Sequence, residues 1–115
     1  MESILTLIKK LAGNLEEENI DFDEEIISDI NTVFSDLWEM GVGPSEPFYI
    51  EDKTSVWTDF MPEVGKLESV KTYIHLRVKL MFDPPQSQSL IASIERQIDK
   101  LEWRLSVAPD MMKQS

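Results

Sequence analysis

Apolar residues recur at helical spacing in four stretches of the chain, and the pattern lapses once between them, over residues 41–65. Ile4, Leu7, Ile8 and Leu11 follow the i, i+3, i+4, i+7 rule and predict a short helix over 3–12. Gly13 stands where it would end, before the polar connection "NLEEEN". A second helix is expected from Asp23 to Met40, its buried stripe formed by Ile26, Ile27, Ile30, Val33, Phe34, Leu37 and Trp38. Asp23 is a suitable cap, with Phe22 and Ile27 spaced as a hydrophobic staple. Gly41 offers a left-handed stop, and Pro44 prevents the helix from resuming.

The lapse, "GVGPSEPFYIEDKTSVWTDFMPEVG", is rich in Gly and Pro and carries two short extended pieces, "FYI" and "SVW". It reads as a small β-hairpin or an extended loop. Helical periodicity returns from about Lys66 to Phe82 with an unusually wide apolar arc: Leu67, Val70, Tyr73, Ile74, Val78, Leu80 and Met81. Such an arc suits a central helix touched on several sides. Arg77 projects into it and is expected to be partly buried against a carboxylate. His75, the one histidine, reads as a surface neighbour of Lys79. Pro84 disfavours helix at Asp83, Pro85 prolongs a stiff link, and Ser87 or Ser89 can cap the next helix. The third and fourth helices therefore form a hairpin with arms of about 26 Å. The expected fold is mainly α, about four helices in a single domain over 1–107, with a C-terminal tail at 108–115.

The fourth helix, about Ser89 to Val107, is the unusual one. Leu90, Ile91, Ile94, Ile98, Leu101 and Leu105 make a core stripe. One flank carries Glu95, Asp99 and Glu102; the other carries Arg96, Lys100 and Arg104. Like charges four apart weaken an isolated helix, yet here the signs are sorted into separate ridges. Trp103 stands between the ridges, nearly opposite the core stripe. Trp and Arg are enriched at interface hot spots, so Arg96, Lys100, Trp103 and Arg104 form a candidate subunit or partner interface. The competing account is that another part of the same chain folds over Trp103.

Charge sharpens this picture. The whole chain has a net charge of −11 over 115 residues. Residues 1–65 hold 16 Asp/Glu against 3 Lys/Arg, and residues 66–115 hold 6 against 8. Such acidity disfavours tight nucleic-acid binding, which rests on Lys and Arg, and the asymmetry permits head-to-tail contact between copies. A plain solvated acidic surface explains it equally well. With no Cys, neither a disulfide framework nor a thiolate metal site can form. No Ser/His/Asp cluster or glycine-rich phosphate loop is present, and "DFDEEIISDINT" lacks the glycine an EF-hand loop needs. No catalytic, cofactor-binding or metal residue is nominated, and the chain reads as a non-enzyme. "MESILTLIKKLAG" lacks the basic leader of a signal peptide, and no apolar run is long enough to span a membrane. A soluble, intracellular protein is expected.

The succession "INTVFSDLWEMGVGP", "VWTDF", "VKTYIHLRVKLMFDPPQS" and "IERQIDKLEWRL" resembles the head–tail connector (head-completion or adaptor) proteins of long-tailed bacteriophages, over roughly residues 20–107. The resemblance implies a small helical virion protein that forms a homo-oligomeric ring, commonly twelve-fold, under the portal protein. Such a ring is assembled in the host cytoplasm, extends the DNA channel after packaging and receives stopper or tail-completion proteins. It also implies that the segment from Val107, with Met111 and Met112, docks on the portal; fraying of that tail is the plain alternative. Within such a ring the acidic half is available to meet the basic ridge, and Glu16, Glu17 and Glu18 are the carboxylates expected to face the channel, where DNA passes without specific binding. Two rival readings use the same charges. An acidic decoy would mimic DNA and inhibit a host DNA-binding protein, but the net-positive last 50 residues do not suit it. A helical nucleic-acid-binding domain would use that half and is opposed by the overall charge.

Overall fold

The computed structural model describes residues 2–62 and 65–114, with side chains as far as residue 106. Its described residues form five helices and no sheet: α1 (Ile4–Gly13), α2 (Asp23–Glu39), α3 (Trp57–Phe60), α4 (Gly65–Phe82) and α5 (Gln88–Gln114). The predicted third and fourth helices are thus α4 and α5, and the chain is mainly α as expected. The wide arc of α4 has the expected cause: α1, α2 and α5 all pack on it. Leu67, Val70, Tyr73, Ile74, Leu76 and Val78 are buried, whereas Met81 near the end of α4 is exposed.

Local chemistry sets the helix ends. Ser3 caps α1 by accepting from the Thr6 amide, and Asn14 takes the left-handed conformation beyond its end. Asp23 is the first residue of α2 rather than its cap; that place falls to Phe22, with no capping side chain. Gly41, at φ +80°, turns the chain after α2, where a Cβ would be strained. Of the two candidate serines, Ser87 caps α5, its hydroxyl accepting from the Leu90 amide.

The segment after α2 forms no β-hairpin, because its extended pieces find partners elsewhere. The Ile50 amide donates to Asn31 Oδ1 and the Ile50 carbonyl accepts from Asn31 Nδ2, at 2.8 and 3.0 Å. Ser55 accepts from the Ile4 amide, and Ser3 and Val56 form an isolated bridge. The chain then turns into α3, whose first turn is held by Asp59 accepting from the Val56 amide. Phe34, Phe48 and Phe60 stack at centroid distances of 4.8–5.3 Å and seat this loop on α2. Gly43, at φ +102°, passes so close to the Phe60 ring that no side chain fits.

Besides Met81, three further predicted core positions are exposed: Leu11, Trp38 and Leu90. The buried side of α1 is instead Ile4, Leu5, Ile8, Lys9 and Ala12. Trp38 lies at the edge of α2, its indole donating to the Ser45 carbonyl. Leu90 lies in the first turn of α5, whose buried side chains begin only at Ile98.

Candidate functional site

Two buried or half-buried cations tie the helices together. Lys9 is only 2% exposed; its ammonium donates to the Glu17 carbonyl at 3.0 Å and lies 2.9 Å from Asp23 Oδ1. That oxygen is buried with no aligned hydrogen bond, so the ion contact with Lys9 is what compensates it. Arg77 is half-buried, as expected: Nη2 donates to Asp36 Oδ2 and Nη1 to the Tyr73 hydroxyl, each at 2.7 Å. Tyr73 in turn donates to Glu102 Oε2 at 2.7 Å, so one chain of hydrogen bonds links α2, α4 and α5. Burial, reinforced by the bond to Glu102 and opposed by Arg77, pushes the Tyr73 hydroxyl up to about 12. Arg77 loses by burial and gains more from Asp36 and Tyr73, so its affinity for the proton rises further.

His75 is not the simple surface neighbour of Lys79 expected from the wheel. It is half-buried beside Leu7, Leu11, Lys71 and Thr72 in the α1–α4 groove. Burial lowers its pKa, the Leu11 backbone opposes this, and Lys79 adds to the lowering.

The outer face of α5 is different in kind. Ile98, Leu101 and Leu105 rest on α4, while Trp103 is 59% exposed. Among the described residues nothing folds over it. The acidic ridge borders a groove lined by Arg77, Leu80, Glu95, Ile98, Asp99 and Glu102. The basic ridge borders another, lined by Glu68, Ser69, Thr72, Gln97, Lys100 and Arg104. Arg96, Lys100 and Arg104 make no ion pair among the described residues, and neither do Glu95 and Asp99. Of the acidic ridge, Glu102 is held by the Tyr73 hydroxyl.

The other nominated residues are scattered. Glu16, Glu17 and Glu18 lie exposed in the α1–α2 connection, where Glu17 faces Lys53 at 3.5 Å. The side chains of Val107, Met111 and Met112 lie outside those described, although the helical backbone of α5 runs on past them. Sequence reasoning missed Lys9. Its signal is present: Leu5, Ile8, Lys9 and Ala12 keep i, i+3, i+4, i+7 spacing with a lysine in one slot. Among the described residues no group of acidic or histidine side chains is arranged to hold a metal ion, and no helix is long and apolar enough to cross a membrane.

No curated protein and no solved structure matches the chain. A family model described as "Phage connector protein" matches residues 4–112. The chain belongs to that family, and is accordingly a structural component of the bacteriophage virion, a head–tail connector.

Proposed function

We propose that this connector assembles as a ring, commonly twelve-fold in proteins of this kind, between the portal and the stopper or tail-completion proteins, and so extends the DNA channel after packaging. The observation that carries the proposal is the outer face of α5, where an exposed Trp103 stands between two ridges of opposite charge that form no ion pair among the described residues. A closed ring needs two different, complementary patches on each subunit. Arg96, Lys100, Trp103 and Arg104 form one of them. The segment 108–115, entered through Val107 and including Met111 and Met112, serves as the portal-docking arm, thioether side chains being adaptable apolar contacts. Glu16, Glu17 and Glu18 face the channel, where their charge repels phosphate and lets DNA pass without sticking.

The test is sedimentation of the purified chain, alone and with the portal ring of the same genome. A ring, or co-sedimentation with the portal at fixed ratio, is the expected result. A chain that ignores the portal and instead binds a host DNA-binding protein in a salt-sensitive manner would establish the acidic decoy.

A further inference from the structure

We infer that neighbouring copies meet along α5, with these helices parallel and nearly in register, so that Arg96, Lys100 and Arg104 of one copy lie against Glu95, Asp99 and Glu102 of the next. This deepens the ring proposed above and rests on it. It names the acidic partner as the other ridge of the same helix, rather than the acidic N-terminal half.

The two ridges lie on opposite flanks of α5. Glu102 is tied through Tyr73 and Arg77 to Asp36, so the acidic ridge faces the α2 side. The basic ridge borders the other groove, across from Glu68, Ser69 and Thr72 of α4. Neither groove neutralises its ridge. Arg77, in the acidic groove, is already engaged by Asp36 and Tyr73. Glu68, in the basic groove, pairs with Lys71 at 3.3 Å. Arg96 and Asp99, three apart on the same helix, form no ion pair with each other.

Register supplies the decisive geometry. Rotation about an axis running along α5 leaves the height of every atom unchanged, so charges that pair between copies must lie at similar heights. At a rise of about 1.5 Å per residue, Glu95 and Arg96 differ by about 1.5 Å, Asp99 and Lys100 by about 1.5 Å, and Glu102 and Arg104 by about 3 Å. Long, flexible side chains span such offsets, and three pairs match at once. An antiparallel arrangement brings like flank against like flank, setting Arg96 near Arg104 and carboxylate near carboxylate, which is repulsive. Each copy then offers one flank to each neighbour, which is the heterologous contact a ring requires. Exposed ion pairs individually hold little, so the ladder fixes orientation and makes association salt-sensitive, while Trp103 recurs at one height around the ring.

The chain has no Cys, so single cysteines report cleanly. Full-length Glu95→Cys and Arg96→Cys chains, mixed in equal amounts and assembled alone or on the portal ring, are treated with a short bismaleimide. Cross-linking between copies is expected, and a mixture of Arg96→Cys with Arg104→Cys is expected to give several-fold less. In a second experiment, Arg96→Glu/Lys100→Glu/Arg104→Glu and Glu95→Lys/Asp99→Lys chains are each expected to lose assembly, and their equal mixture to regain it. Wild-type assembly with no cross-link from the first mixture, or with the second cross-linking better, overturns the register and leaves the ring standing. Undiminished assembly by both reversed chains does the same. A wild-type chain that assembles neither alone nor on the portal removes the ring, and this contact with it.

Discussion

Lys9 and Arg77 stand against Arg96, Lys100 and Arg104 as two uses of positive charge in one small domain. The first two lie inside or half-inside the helix cluster, each matched to a carboxylate and to a further oxygen within 3.0 Å. The other three project from α5 with no partner among the described residues. Removing one member of a matched, desolvated pair strands the other, whereas removing an unmatched surface charge strands nothing inside the chain. Charges of the first kind hold the fold; those of the second kind remain available to a neighbour.

The largest expected effects fall on the matched pairs. Lys9→Met leaves the buried Asp23 Oδ1 without its cation and is expected to cost about 3 kcal/mol in denaturant unfolding. Arg77→Met removes the bonds to Asp36 and to the Tyr73 hydroxyl, which keeps Glu102 as its acceptor; with Asp36 42% exposed, the expected cost is smaller, about 2 kcal/mol. Either variant unfolding like wild type would erase the comparison. Asn31→Ala comes next, since it removes both hydrogen bonds that satisfy the Ile50 backbone. A loss of about 2 kcal/mol is expected, with earlier proteolysis of the 41–56 loop. Reversing Arg96, Lys100 and Arg104 to Glu should leave the unfolding midpoint unchanged while abolishing assembly; a large fall in stability would place these residues with the first group.

Titration sharpens the contrast at smaller amplitude. Tyr73 has its folded pKa raised from 10.0 to about 12. Its contribution is therefore fully present below pH 10 and lost as pH rises from 10 to about 12. Tyrosinate absorbance should show a component ionising near pH 12 that Tyr73→Phe removes. His75 goes the other way: its folded pKa lies below 6.5, so stability falls as the pH drops below that value, because the unfolded chain binds the proton more readily. Replacing His75 with Gln should flatten part of that acid slope, and an unaltered slope would show that burial there does not govern its charge.

How much of this could be read in advance depended on where each residue's partner lay. The spacing of Leu67 to Val78 was enough to announce a central helix, because burial on several sides leaves a wide arc in any setting. Arg77 was legible for the same reason: a cation inside that arc has to be matched. Lys9 was not, because the stripe Leu5, Ile8, Lys9, Ala12 is the stripe Ile4, Leu7, Ile8, Leu11 moved on by one residue, a rotation of about 100°, and both keep helical spacing. Asp23 and the Glu17 carbonyl decide between them, and both lie beyond α1. The 41–56 loop was illegible in a similar way. Its strand-like residues are satisfied by Asn31 and by the start of α1, long-range partners that no local pattern encodes. On α5 the sorted ridges and Trp103 were visible at once, since an outward face is written in the helix's own periodicity.

The most direct test of the account is sedimentation velocity of the full-length chain with the portal ring at low salt, for wild type and for Arg96→Glu/Lys100→Glu/Arg104→Glu. The account predicts that wild type co-sediments at a fixed ratio and that the reversed chain, equally folded, does not form the ring. A wild-type chain that remains monomeric beside the portal at every concentration would contradict it.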